Sequence, residues 1–160
     1  MLESLYQQIL LDHSRHPCHH GRPERFDAEA EGHNPICGDK VRVFVTLKDD
    51  GIEEVRFEGA GCAISQASAS MMTNALSGLS IDDAKAVRAA FLDLVAAAEP
   101  DRSSGERVNE ELRSMSEVRR FPARVKCATL AWHALARALG EALKGSGGPP
   151  SGSVGGGKTG

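Results

Sequence analysis

Apolar residues recur along the chain with two different periods, and the change of period separates its parts. Leu2, Leu5, Tyr6, Ile9 and Leu10 follow the i, i+3, i+4, i+7, i+8 rhythm of one helix face, predicting a helix over residues 2–15 that Pro17 ends. The run His16-Pro17-Cys18-His19-His20-Gly21-Arg22-Pro23 reads as a solvated loop by its breakers. From Phe26 the period drops to two. Phe26, Ala28 and Ala30 alternate with acidic residues up to Asn34-Pro35, then Val41, Val43, Val45 and Leu47 alternate, and then Val55 and Phe57. Asp49-Asp50-Gly51 lies between the last two runs, and an Asp-Gly step in that position signals a hairpin.

Beyond Cys62 the period returns to that of helices. Ile64, Ala67, Met71, Ala75 and Leu79 form one face, closed near Gly78. Ser80 and Asp83 resemble a capping box for a second helix, on Ala84, Val87, Phe91, Leu94, Val95 and Ala98, which Glu99-Pro100 stops. Residues 101–121 are polar apart from Leu112, Met115 and Val118, which predict one brief helix. Pro122 suits the first turn of a last helix, carried to about Leu143 by Val125, Ala128, Trp132, Leu135, Ala136 and Leu139. Strands first and helices afterwards predict an α+β domain: an antiparallel sheet of about three strands with helices packed on one face.

Length and charge narrow the picture further. A chain of 160 residues is one domain, here residues 1–144, followed by a Gly/Ser/Pro-rich tail over 145–160 expected to be flexible coil. The net charge of −3 gives no general reason to expect nucleic acid as a partner. No apolar run approaches the roughly 18 residues that read as a membrane span. No charged n-region precedes an apolar h-region, so the expected compartment is the cytoplasm, where disulfides are rare.

In that compartment the cysteines Cys18, Cys37, Cys62 and Cys127 point to metal or catalysis before they point to staples. Cys62 follows Gly59-Ala60-Gly61 at the start of a helix of small residues, where free amide groups and the helix dipole favour a thiolate. Cys37 lies in the loop Asn34-Pro35-Ile36-Cys37-Gly38-Asp39, and Cys37 and Asp39, two apart in extended chain, would point the same way. Cys127 sits just inside the helix begun at Pro122. Each of these thiols alone reads as a buried small hydrophobe, and Asp39 alone as a turn residue. Together, three thiolates and a carboxylate make a tetrahedral donor set whose softness favours zinc or an iron–sulfur cluster. Arg119, Arg120, Arg124 and Lys126 would offset the negative charge of that set and hold its thiols ionised; alone they read as a solvated helix face. His16, Cys18, His19 and His20 could take up adventitious metal, though a solvated loop is the simpler reading. His13 and His33 read as ordinary polar residues, and His133 as a surface or partly buried one.

Three strings carry a resemblance: Asn34-Pro-Ile-Cys-Gly-Asp39, Gly59-Ala-Gly-Cys62 with the following Ala-Ile-Ser-Gln-Ala-Ser, and Phe121-Pro-Ala-Arg-Val-Lys-Cys127-Ala-Thr-Leu-Ala-Trp132. They resemble the iron–sulfur cluster assembly proteins of the NifU N-terminal/IscU type, and the likeness runs from about Leu2 to Leu143, including Leu5-Tyr6, Leu11-Asp12-His13 and His16-Pro17. Within that family the chain is similar to the SufU branch. Lys126 stands where scaffold members usually carry a histidine ligand, and residues 101–121 resemble the SufU insertion. The Cys/His-rich loop departs from the family's usual arginine and asparagine there.

The resemblance implies that Cys37, Asp39, Cys62 and Cys127 bind zinc. It implies that a pyridoxal-phosphate cysteine desulfurase of the SufS type passes persulfide sulfur to the protein. A histidine of the desulfurase would then replace Cys37 on the zinc and free that thiolate as acceptor. Arg124 matches a basic position beside the site that would guide the thiolate or persulfide, and downstream iron–sulfur assembly proteins would receive the sulfur. Two other functions fit the same residues: a scaffold on which an iron–sulfur cluster is built, and a purely structural zinc domain. The carboxylate ligand disfavours the latter, since closed structural sites prefer Cys and His.

Overall fold

A computed structural model of the chain describes residues 2–97 and 102–147. Helix α1 (Leu2–Arg15) is followed by strands β1 (Ala28–Asn34), β2 (Asp39–Lys48) and β3 (Gly51–Ala60). Helices α2 (Ala63–Leu76) and α3 (Ile81–Ala96) come next, then the short α4 (Arg102–Glu106) and α5 (Glu110–Ser114), a 3₁₀ segment (Met115–Arg120) and α6 (Pro122–Gly147). The strands form one antiparallel sheet in the order β1-β2-β3, as the alternation predicts. The Ala98 and Glu99-Pro100 expectations, and the tail beyond Gly147, fall outside the described residues; residues 145–147 continue α6. No helix among the described residues is long and apolar enough to cross a membrane.

Val41, Val43 and Val45 of β2 and Val55 and Phe57 of β3 are fully buried on the sheet face covered by α2 and α6. Ile52 breaks the alternation yet is buried too, because the register shifts between Thr46 and Leu47 and the extra residue returns Ile52 to the inner face. The outer face carries ion pairs, Arg42 with Glu29 at 3.2 Å and Arg56 with Glu54 at 3.1 Å. Phe44 also faces outward and is nonetheless buried, its ring 5.1 Å from that of Phe26 with the Arg22 guanidinium 5.3 Å above it. The hairpin forms at the expected place. Its left-handed residue is Asp49 (φ 57°), while Gly51 opens β3, where a side chain would press on the Leu79 carbonyl.

Helix α2 is more central than one apolar face suggests. Met72 and Leu76 are fully buried, whereas Ile64, Ala75 and Leu79 are only partly so, and Ser65, Ser68, Ser70 and Thr73 are buried with them. Small residues let α1, α6 and β3 pack closely around it. Buried hydroxyls need partners. Ser68 Oγ donates to the Ala128 carbonyl at 2.6 Å and accepts from Trp132 Nε1 at 3.0 Å, and Trp132 stacks on Phe91 at 4.3 Å. Ser70 Oγ lies 2.6 Å from His13 Nδ1, and His13 Nε2 lies 3.0 Å from Glu111. His13 is thus a buried pin joining α1, α2 and α5 rather than an ordinary polar residue.

One further expectation changes. Residues 102–120 make two short helices and a 3₁₀ segment in place of one helix. Leu112, Met115 and Val118 recur every third residue, and near-3₁₀ winding keeps all of them on the buried face. The loop around Cys18 leaves His16 and His20 exposed, as expected of a solvated loop, and is also tied down. His20 bridges to Phe57 on the open edge of β3, Gly21 N donates to the Phe57 carbonyl at 2.8 Å, and Cys18 N donates to Ser70 Oγ at 2.7 Å. That stretch covers an edge that would otherwise leave its backbone groups unpaired.

Candidate metal centre

The ends of β1, β2, β3 and α2 and the first turns of α6 meet at one rim, and each contributes through local chain chemistry. In the β1–β2 loop Gly38 N donates to the Asn34 carbonyl at 2.8 Å, the Asn34 side chain accepts from Ile36 N at 3.3 Å, and Gly38 takes φ 74°. That turn, not an extended run, carries Cys37 round beside Asp39. Cys37 is exposed, next to Ile36 at 80% exposure, and Asp39 is fully buried.

The Gly-Ala-Gly before Cys62 has a steric cause. A Cβ on Gly59 would collide with the Lys40 carbonyl, and one on Gly61, at φ 141°, would collide with Asp39 itself. The bare backbone lets Asp39 reach the helix end, where its Oδ1 accepts from Cys62 N at 2.8 Å. Cys62 is the N-cap of α2, and its sulfur accepts from Ser65 N at 3.4 Å. Cys127 is buried on α6 and its sulfur lies 3.6 Å from that of Cys37. The Cys62 sulfur lies 3.6 Å from Asp39 Oδ2.

The donor atoms of Cys37, Asp39 and Cys127 all lie within 4.8 Å of one another, a set of suitable type and spread to hold one metal ion. Cys62 adjoins that set through Asp39 and Cys127 rather than falling inside the same radius. Burial pushes the Cys127 thiol far above its ordinary range, and hydrogen bonds with Asp39, Cys37 and Cys62 add to the rise. A cation inside the ring would supply the missing charge, and soft sulfur donors suit zinc or iron.

Arg124 lies on the exposed first turns of α6, its guanidinium 4.4 Å over the Phe121 ring. It also faces Tyr6 of α1, whose phenol pKa burial raises while Arg124 lowers it, with Glu117 and Cys62 adding smaller raising contributions. Tyr6 is thus a near neighbour of the rim that sequence reading assigned only to the core; an amphipathic ring whose tip needs a polar partner was the available signal. Arg119 donates to the Ala97 carbonyl at 3.2 Å, Arg120 pairs with Glu117 at 3.9 Å, and Lys126 is exposed.

Residues 5–144 match the family model of the NifU-like N terminal domain. The chain is 39% identical over 140 residues to the zinc-dependent sulfurtransferase SufU of Bacillus subtilis, covering 88% of this chain and 92% of that protein. It is also 39% identical over 138 residues to the iron-sulfur cluster assembly scaffold protein IscU of Streptococcus pyogenes, covering 86% and 84%. Among solved structures, a candidate iron-sulfur cluster assembly scaffold protein for the SUF system from Fervidobacterium islandicum superposes with TM-score 0.75 at 31% identity, covering 86% of this chain and 98% of that one.

Proposed function

Because the chain belongs to the NifU-like N terminal domain family, we propose that it acts in iron–sulfur cluster assembly as a zinc-dependent sulfur carrier. In this reading it takes persulfide sulfur from a SufS-type cysteine desulfurase onto Cys37. The observation that supports it is the unequal exposure of the thiol pair: Cys37 stands at the surface, 3.6 Å from a Cys127 sulfur that is buried. One thiol is placed to meet a partner while its neighbours stay behind as anchors. Cys37, Asp39, Cys62 and Cys127 would hold the zinc, whose charge favours thiolate over thiol when bound.

The transfer needs no outside oxidant. The Cys37 thiolate attacks the outer sulfur of the donor persulfide, the donor S–S bond breaks, and the donor cysteine leaves as thiolate. Cys37 then carries the persulfide, and one sulfur atom has changed hands with its oxidation level conserved. Arg124, exposed beside the rim, would steady the anionic sulfur. Downstream iron–sulfur assembly proteins would take the sulfur from Cys37 by the same exchange.

A second reading rests on the equally similar IscU relative: a scaffold assembling a cluster on the same residues. Desulfurase turnover with metal-free, zinc-loaded and iron-loaded protein side by side separates the two. Stimulation by the colourless zinc form supports sulfur transfer, while a brown, sulfide-containing iron form, with no stimulation by the zinc form, supports the scaffold.

A further inference from the structure

Away from the thiols, three basic side chains gather on the flank of the helical layer with no ion-pairing carboxylate among the described residues. Arg88 projects from α3; His133 and Arg137 lie one turn apart on α6. Arg88 Nε donates to the Trp132 carbonyl at 3.0 Å, and its Nη2 lies 3.5 Å from His133 Nδ1. Arg137 donates to the Glu31 carbonyl on the sheet edge. Elsewhere Arg22, Arg25, Arg42, Arg56 and Arg120 are each paired with a glutamate.

The cluster is electrostatically uncomfortable. Partial burial, then Arg88 and Arg137, lower the His133 pKa, and burial also lowers that of Arg88, which stays a cation. A half-buried guanidinium without a counter-ion costs stability. The chain's net charge is −3, so this local excess is not the by-product of a basic protein.

We propose that Arg88, His133 and Arg137 form a docking patch for an acidic protein segment, whose carboxylates provide the counter-charge. Guanidinium forks match carboxylate oxygens in pairs. Nucleic acid fits less well, because a phosphate backbone asks for a longer basic track. His133 lies six residues beyond Cys127, roughly 9 Å along the helix axis. The proposal does not rest on the sulfur-transfer reading; any partner with an acidic margin satisfies it.

The test titrates the full chain at low salt with a hexaglutamate peptide, following the imidazole proton resonances of His133, assigned with H133Q. Inorganic phosphate and an oligothymidylate serve as comparison probes. The peptide is expected to shift His133 saturably and raise its pKa, and R137Q to weaken binding about tenfold. R88Q should act alike, and R137Q guards against any loss of folding when the Arg88–Trp132 bond is removed. No saturable shift with the peptide, undiminished binding in both variants, or tighter binding of phosphate or oligothymidylate than of peptide would each overturn the proposal.

Discussion

Asp39 Oδ1 accepts the backbone N–H of Cys62 at 2.8 Å, so the buried first residue of β2 caps the start of α2 with the same carboxylate that faces the thiols. One side chain therefore has a structural task and, in the proposed function, a ligand task as well, and two substitutions separate them. Asp39→Asn keeps the acceptor and removes the charge; it should fold like the parent but release zinc to a chelator at least about tenfold more readily. Asp39→Ala should in addition lower stability by about 1–3 kcal/mol in urea, from the orphaned Cys62 N–H. Full zinc retention by both variants would remove Asp39 from the ligand set.

Gly61 supplies the second half of that junction. Its φ of 141° and the collision that a Cβ would make with Asp39 mean that Gly61→Ala must displace the carboxylate. Strain of about 1–3 kcal/mol is expected in chemical unfolding, together with weaker zinc retention. Gly105→Ala is a fitting control, since a Cβ there meets only the Arg113 side chain at 3.9 Å. Equal retention by the two variants would show that the close approach is not needed.

Cys37 is exposed and lies in a turn held by Asn34, so its replacement should spare the fold. With chelator present, so that metal stabilises neither protein, Cys37→Ser should unfold at the parental temperature within about 2 °C, and it should lose stimulation of a SufS-type desulfurase. A persulfide-specific label followed by mass mapping should find the extra sulfur on Cys37 in the parent. Undiminished stimulation by the serine variant would exclude Cys37 as acceptor.

The sheet, the hairpin and the last helix were legible because each rests on a local period, and Val41, Val43 and Val45 bury on one face as alternation requires. The convergence of Cys37, Asp39, Cys62 and Cys127 was legible only through motifs, since contacts 90 residues apart follow from no local rule. What escaped was set by tertiary packing. Ile52 needed a bulge, Phe44 needed a loop from elsewhere to cover it, and α2 proved buried nearly all round because its serines find partners on α1 and α6. His13 and Tyr6 read as a polar residue and a core residue, respectively; their partners, Glu111 and Arg124, lie about a hundred residues along.

Ser68 offers a stability test remote from the rim. It is fully buried and accepts the indole N–H of Trp132. Ser68→Ala leaves that donor without a partner in an apolar setting and should cost about 1–3 kcal/mol in urea unfolding. Adding Trp132→Phe removes the donor as well, so the double variant should lose less than the sum of the two single changes. Strict additivity would show that the bond contributes nothing of its own.

Cys127 makes stability depend on pH in opposite senses with and without metal. Burial raises its pKa in the folded chain, whereas an unfolded thiol ionises near about pH 8.5. Below that pH both states keep the proton and Cys127 adds no slope. Above it the unfolded chain releases a proton that the folded chain retains, so metal-free protein should lose stability as pH rises, by up to about 1.4 kcal/mol per unit. The window runs from about pH 8.5 to 10, below the range where Tyr6, also raised by burial, adds a loss of the same sign. Zinc binds thiolates and displaces their protons, so the stabilisation it confers should instead grow with pH through the thiol range. Urea unfolding at several pH values, with chelator and with zinc, measures both slopes. Cys127→Ala should flatten the metal-free one, and an unchanged slope in that variant would assign the titration to another group.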